Sequence, residues 1–390
     1  MPFDRRQFLT SAAALGATLA APMVARAQTA PHVVVIGGGA GGATAARYIA
    51  TGSNGAINVT LVEPTRAYYT CFFSNLYLGG FREMNSLGHS YGTLASNFGI
   101  NVVHDWAVGV DRDAKSVSLA GGGSLSYDRL VLSPGIDFIE DSVPGWSQAA
   151  QNAMPHAYKA GSQTELLKAQ VMNMREGGVF AMIAPPNPYR CPPGPYERVS
   201  MVAHLLKQNN PTAKILIVDP KESFSKQGLF EDGWQRHYTG MIERIGPDFG
   251  ATNVSVDPDA MTVSIDGNVE QVDVCNVIPA QRAGRIAHLA GITDGNWAPV
   301  SAYDLSSKMD KISMSWAMRR RRARCRNQGS RPTVRPRSAR MPSWRPLRAV
   351  GPSHRVSPIL AGHSLIPMTG SKSVRPTRPR TRGLFRPLAS

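Results

Sequence analysis

The feature that most constrains this chain is a turn with five glycines in six residues, Gly37-Gly38-Gly39-Ala40-Gly41-Gly42. Before it, His32 to Ile36 is a β-branched run that predicts a short buried strand; after it, Ala43 to Ala50 predicts a helix. Strand, glycine turn and helix in this order place a diphosphate on the free amides of a helix N-terminus. Gly37 then permits the tight turn, Gly39 the close approach of the pyrophosphate, and Gly42 the packing of helix on strand. A second strand, Asn58 to Val62, ends in Glu63, whose carboxylate is placed to accept hydrogen bonds from the adenosine ribose hydroxyls. A flexible glycine loop needs neither the strands nor the acid.

Further along, Tyr127 to Leu132 is an apolar strand closed by Ser133-Pro134-Gly135. It resembles the second motif of flavin domains, so Pro134 and Gly135 join Gly37, Gly39, Gly42 and Glu63 as predicted contacts of FAD. A similar return to the FAD sheet is predicted at Val272 to Pro279, before Gln281-Arg282-Ala283-Gly284. Three separated segments serving one nucleotide unit imply that a second unit is inserted between them. The predicted fold class is α/β, with two Rossmann-like dinucleotide-binding domains, the second inserted in the first, and an irregular C-terminal tail. The predicted boundaries are 28–150 for the first part of the FAD domain, 151–270 for the insert, 271–311 for the return and 312–390 for the tail.

Within the insert, Gly178 to Ala184 reads as a strand, Val199 to Gln208 as a helix and Lys214 to Asp219 as the next strand. The turn after the first strand, Pro185 to Arg198, contains Cys191-Pro192-Pro193-Gly194-Pro195 instead of a glycine run. Proline has no amide hydrogen and fixes its own φ, so this turn cannot offer a series of amides to a pyrophosphate and argues against a nicotinamide nucleotide. It holds Cys191 rigidly instead. Arg190 and Arg198 are expected to lower the pKa of that thiol and favour the thiolate; the alternative is a stiff loop with an inert cysteine.

At the N-terminus Arg5-Arg6 precede an apolar stretch from Leu9 to Val24, and Ala25-Arg26-Ala27 supplies a small-x-small cleavage site. Residues 1–27 resemble a twin-arginine signal peptide, which predicts a periplasmic protein with no transmembrane segment after cleavage. The net charge of +16 does not contradict this, because it is confined to one end: after Lys311 there are 19 of the 43 basic residues and no Asp or Glu. The preceding 24 basic and 27 acidic residues give no polyanion-binding surface, and no nucleic-acid partner is expected.

Several segments are more specific than the glycine turn: Tyr68-Tyr69-Thr70-Cys71, Pro155 to Gly161, Tyr189 to Arg198, Phe224-Ser225-Lys226 and Asn276 to Gly284. From Pro31 to about Lys311 the chain resembles the flavoprotein subunit of flavocytochrome c sulfide dehydrogenase. The resemblance implies that Cys71 bonds covalently to the flavin and that Cys191 is one half of a redox-active disulfide and the catalytic residue. It also implies that sulfide attacks this disulfide, that an electron pair passes to FAD, and that a c-type cytochrome partner carries the electrons away. The chain has no C-x-x-C-H motif, so the haem belongs to another protein. His156 and Lys159 receive no assigned role, Trp146 and Trp234 read as packing residues, and Cys275 as buried and inert. A sulfide:quinone oxidoreductase-like flavoenzyme is the rival reading.

From Ile312 the chain is rich in Arg, Pro and Ser and shows no apolar period of 2 or 3.6. One reading is a basic polyanion-binding arm on a non-catalytic, degenerate flavoprotein; the other is a shifted reading frame. A shifted codon takes the last base of one codon and the first two of the next. Trp316 followed by Ala317 then forces Gly, and the next two steps permit Asp and Ala. Arg324 to Ser330 permits Met-Pro-Lys-Ser-Gly-Phe, and Pro358 to Ser364 permits Asn-Thr-Cys-Trp-Ser-Leu. These resemble, in order and spacing, the family's flavin-binding Gly-Asp segment and the segment with the second redox cysteine. Cys325 has the wrong context to replace that cysteine. The chain as written is therefore predicted to be misfolded or inactive, and a frame-repaired version to bind FAD.

Overall fold

The computed structural model describes residues 30–310 and, as backbone, the strand at 313–315. The predicted signal peptide, Cys325 and the rest of the tail lie outside the described residues.

In chain order the principal elements are β1 (His32–Ile36), α1 (Ala40–Ser53), β2 (Asn58–Val62), α2 (Ser74–Leu78), β3 (Asn101–Val103), β4 (Arg129–Leu132) and β5 (Ile136–Phe138). There follow α3 (Ser162–Met172), β6 (Val179–Ile183), α4 (Gly194–Asn209), β7 (Lys214–Val218), α5 (Gln227–His237), β8 (Ile242–Ile245), β9 (Val274–Val277), β10 (Gln281–Ala283) and β11 (Ser313–Ser315). The first sheet has the order β11-β4-β1-β2-β3 and is parallel throughout. The second, β8-β7-β6-β9, is parallel as well.

Central parallel strands are covered on both faces, which is why β1 and β6 are near-continuous apolar runs. Val34, Ile36, Leu130 and Leu132 pack toward Ile286 and Ala287, whereas Val33, Val35 and Leu61 pack toward Ala45, Ala46 and Tyr91. Helix α1 starts at Ala40, three residues before the predicted start, because extended Gly39 already serves as its N-cap and accepts the Ala43 N–H at 3.0 Å.

Two expectations need correction. The Val272 to Pro279 segment does not return to the first sheet; its strand β9 pairs with β6 in the second, Phe180 opposite Val274 and Ile183 opposite Val277. The inserted unit therefore extends past residue 270 to about Pro279. Nor is the 312–390 segment irregular from its start: β11 adds to the first sheet beside β4, with Ser313 opposite Leu130 and Ser315 opposite Leu132. The two units are joined by an antiparallel ribbon of β5 and β10, with Ile136 opposite Ala283 and Phe138 opposite Gln281.

Trp146 and Trp234 pack in the cores, as expected. Trp146 is 3% exposed and its indole donates to the Met154 carbonyl at 2.9 Å, while Trp234 lies among Phe224 and Phe230 and donates to Ser200 Oγ at 2.8 Å. Cys275 is fully buried in β9, and burial pushes its thiol up to about 12. Among the described residues no helix is long and apolar enough to cross a membrane.

Candidate flavin and cysteine site

The glycine turn is sterically exacting. Gly37 has φ +99°, and a Cβ there would sit 2.2 Å from the Ser133 carbonyl oxygen; one on Gly42 would sit 1.8 Å from the Gly37 oxygen. Gly39 differs, since its Cβ position meets only the Tyr68 ring, at 3.6 Å. The first and last glycines thus let the backbone pack on itself, and the middle one leaves room for a ligand. Helix α1 carries no side-chain cap and no acid in its first turn, so its leading amides remain available to an anion.

Glu63 lies at the open end of β2. It accepts hydrogen bonds from Gly38 N (2.7 Å), Thr65 N (3.0 Å) and Thr65 Oγ1 (2.7 Å), which fixes the carboxylate beside the turn and leaves further acceptor capacity for ribose hydroxyls. Tyr91, which sequence reasoning missed, closes the other side by donating to the Gly38 carbonyl at 3.1 Å. Pro134 and Gly135 follow β4 directly. Gly135 has φ +76° and accepts the Gly284 N–H at 3.0 Å, locking this turn to the end of β10.

Cys71, half-buried, opens a short 3₁₀ turn ahead of α2, with Thr70 Oγ1 accepting the Phe72 N–H and Ser74 Oγ donating to the Cys71 carbonyl at 2.9 Å. Helix α2 then brings Asn75 to the first turn of α4. The Asn75 amide donates to the Gly194 carbonyl at 3.2 Å and to Glu197 Oε2 at 2.8 Å. Cys71 from the first unit and Cys191 from the second are thereby brought near enough for Cys71 to raise the cost of ionising the Cys191 thiol.

Cys191 stands three residues before α4, with φ +58°, a left-handed conformation that L residues adopt only under constraint. The constraint is a clasp. The Tyr158 hydroxyl is shared between the Arg190 carbonyl (2.6 Å) and the Cys191 carbonyl (3.1 Å), and the Arg190 guanidinium donates back to the Tyr158 carbonyl. Gly194 leaves the room: a Cβ there would lie 2.9 Å from the Tyr158 hydroxyl and 3.2 Å from Cys191 Sγ. On the other side the Arg190 N–H donates to Gln281 Oε1 at 2.7 Å.

The expected lowering of the Cys191 pKa is not found. Although Cys191 itself is exposed, desolvation by the surrounding loop, the Glu197 carboxylate and Cys71 together push the thiol up, and outweigh the opposing pull of Arg190. Arg198 is diverted elsewhere: 2% exposed, its guanidinium donates to Asn75 Oδ1, Asn276 Oδ1 and the carbonyls of His156 and Ala157. Burial depresses it to about 10. It binds the two units and the 155–157 segment together.

His156 is buried against Phe138 and accepts the Tyr158 N–H through Nδ1. Burial, then Lys159, Arg198 and Arg190, lower its pKa to about 3, so it is a neutral packing group. Lys159, half-exposed, pairs with Asp137 at 2.9 Å.

The second unit repeats the βαβ order of the first but fills its nucleotide position with protein. Asp219 follows β7 as Glu63 follows β2, yet it is fully buried and surrounded by Lys221 Nζ (2.5 Å), Arg244 Nε (3.0 Å) and the Tyr196 hydroxyl (2.8 Å). Phe224 stacks on Tyr196 at 3.6 Å. Both the acid and the space beside it are occupied, which extends to the whole unit the exclusion of a nicotinamide nucleotide inferred from its proline turn.

Comparison with known proteins agrees with this geometry. A family model described as pyridine nucleotide-disulphide oxidoreductase matches residues 31–172, and one described as the central domain of the sulfide dehydrogenase [flavocytochrome c] flavoprotein chain matches 164–279. The sulfide dehydrogenase flavoprotein chain of Chlorobaculum thiosulfatiphilum is 56% identical over 44 residues, 11% of this chain and 90% of that sequence. The sulfide-quinone reductase of Aquifex aeolicus is 33% identical over 108 residues, 27% of this chain and about a quarter (24%) of that protein's length. Among solved structures, the sulfide:quinone oxidoreductase of Aquifex aeolicus superposes with a TM-score of 0.58 at 20% identity, over 74% of this chain and 68% of that one. A NAD-dependent persulfide reductase from A. fulgidus gives 0.58 at 18%, over 73% and 52%. These two structures speak for the fold alone. FAD is the cofactor the family implies, and the open face of Gly39, the uncapped α1 and the placement of Glu63 fit it. The chain belongs to the flavocytochrome c sulfide dehydrogenase flavoprotein family, within the FAD-dependent pyridine nucleotide-disulphide oxidoreductases.

Proposed function

We propose that this protein is the flavoprotein subunit of a sulfide dehydrogenase, exported to the periplasm by the twin-arginine route, which passes electrons from sulfide to a c-type cytochrome. The observation that carries the reading is the position of Cys191: a left-handed cysteine clasped by Tyr158 and Arg190 at the seam between a nucleotide-binding unit and a sealed one.

In this reading hydrosulfide attacks the disulfide joining Cys191 to a second cysteine. The S–S bond breaks, leaving a persulfide on one sulfur and a thiolate on the other. When bound, FAD supplies a two-electron acceptor for that thiolate and hands electrons on singly. Glu197, whose carboxylate is held by Asn75 and helps to raise the Cys191 thiol, takes up the proton released from sulfide. Cys71 is the attachment point for the flavin ring.

The second cysteine is not among the described residues. We infer a shifted reading frame that begins just after β11, near Trp316, and expect the chain as written to lack sulfide turnover while the repaired chain regains it. Resequencing the gene between the codons of Ser306 and Ser330 tests the frame directly. Expressing both forms and following sulfide-dependent reduction of a soluble cytochrome c tests the function. Turnover by the chain as written overturns the frameshift, and reduction of a quinone in place of the cytochrome favours a sulfide:quinone oxidoreductase.

A further inference from the structure

Gln281, the first residue of β10, is 2% exposed. Its Oε1 accepts the backbone N–H of Arg190, the residue before Cys191, at 2.7 Å. That bond fixes the orientation of the amide, because only the oxygen can receive an N–H. The Nε2 group is then left over, and its hydrogens find no acceptor among the described residues. A buried amide nitrogen that has given up water and gained nothing is uncommon in folded proteins and points to a missing partner.

Among the described residues three other buried side-chain atoms lack a partner: Thr164 Oγ1, Gln170 Oε1 and His288 Nε2. None belongs to a residue that bonds the cysteine loop. Gln281 stands opposite Phe138 at one end of the β5–β10 ribbon, and Pro134-Gly135 and Gly284 lie together at the other. Arg190 is close enough to act electrostatically on Tyr68, whose ring lies beside Gly39. Gln281 thus stands on the ribbon that runs from the second flavin motif to the cysteine loop.

We propose that Gln281 is a flavin contact. Its Nε2 donates to an acceptor atom of the FAD ring system, a carbonyl oxygen or an unprotonated ring nitrogen, while its Oε1 holds Arg190. One planar amide then joins the cofactor to the backbone next to the reactive thiol and fixes the distance between them. The inference rests on the FAD reading above and deepens it.

The discriminating variants are Gln281→Glu and Gln281→Met, made in the full chain both as written and with the repaired frame. Glutamate keeps an oxygen for Arg190 and removes the donor; methionine removes both bonds. FAD is titrated into flavin-free protein and followed by quenching of flavin fluorescence and by the position of the visible absorption band. Thermal melting of the flavin-free proteins reports folding. We expect both variants to weaken FAD binding at least tenfold and to shift the band, with the glutamate variant melting like the wild type before FAD is added. Glutamate binding FAD within twofold of wild type, with an unchanged band, overturns the proposal, as does a loss confined to methionine, which would place the effect in the loop bond alone. Failure of wild type to take up FAD in either form overturns the FAD reading and this proposal together, so the two failures are distinguishable.

Discussion

The two parallel units of this chain share a strand, turn and helix order but invert its chemistry. In the first, an acid at the end of the second strand, Glu63, is half-buried and bonded to the glycine turn; in the second, Asp219 at the matching place is fully buried and ringed by two cations and a phenol. In the first, Gly39 opens the helix onto free space; in the second, prolines open it and a cysteine takes the forward position. One topology serves to bind a nucleotide when its turn and acid are left open. It serves as a rigid mount for a thiol when the same two places are filled.

The comparison can be broken most decisively at the thiol. In the frame-repaired chain, Cys191→Ser is expected to lower the rate of sulfide-dependent cytochrome reduction by about three orders of magnitude or more, the scale seen when a nucleophile is removed. Its FAD content and melting temperature should stay near wild type; residual fast turnover would show that the second unit does not carry the chemistry.

Next come the two acids. Asp219→Asn leaves Lys221 and Arg244 without their anion in a buried place and should cost about 3–5 kcal/mol of stability by denaturant melts. Glu63→Gln should cost little stability but weaken FAD binding about tenfold, near 1.4 kcal/mol, because the ribose loses a charged acceptor. If the two variants behaved alike, the contrast between an open and a sealed unit would fail.

Between them in size lies a pH effect. His156 titrates at about 3 in the folded protein and at 6.5 when unperturbed, so between those values the unfolded chain binds a proton the native one refuses. Its stabilising contribution is full above pH 6.5 and declines as pH falls toward about 3, by up to ~1.4 kcal/mol per pH unit, or ~2 kcal/mol at pH 5. His156→Gln should flatten that part of the stability profile, whatever it does to the absolute melting temperature. The smallest expected effect is none: millimolar NADH should not reduce the flavin, and rapid bleaching by NADH would mean that the second unit is open after all.

Much of this was legible in the sequence because parallel strands announce themselves as unbroken apolar runs. β1, β2, β4, β6 and β7 all fall where such runs lie. The same signal reports burial and not partnership, so Val272 to Pro279 was readable as a strand but not as a neighbour of β6. Ser313-Met314-Ser315 carries no apolar run, and its place beside β4 comes from backbone pairing alone. At the site, Gly37, Gly39, Gly42 and Glu63 follow from one local motif. The clasp of Tyr158, the bridge of Asn75 and the amide of Gln281 depend on contacts spanning tens to more than a hundred positions. The raised pKa of Cys191 was hidden because Arg190 is its sequence neighbour, whereas the desolvation that dominates, and the approach of Glu197 and Cys71, are set by the fold.

The buried Arg198 also dictates an order of events during synthesis. Its guanidinium needs acceptors from Asn75, from residues 156–157 and from Asn276. Until Asn276 has emerged from the ribosome, a nascent chain holding the first two sets of partners still carries a cation that cannot be satisfied away from water. The seam between the units is therefore complete only once Asn276 is in place, after most of both sheets has been translated. A ribosome stalled before that point would display the cysteine loop unclasped and open to oxidants and proteases.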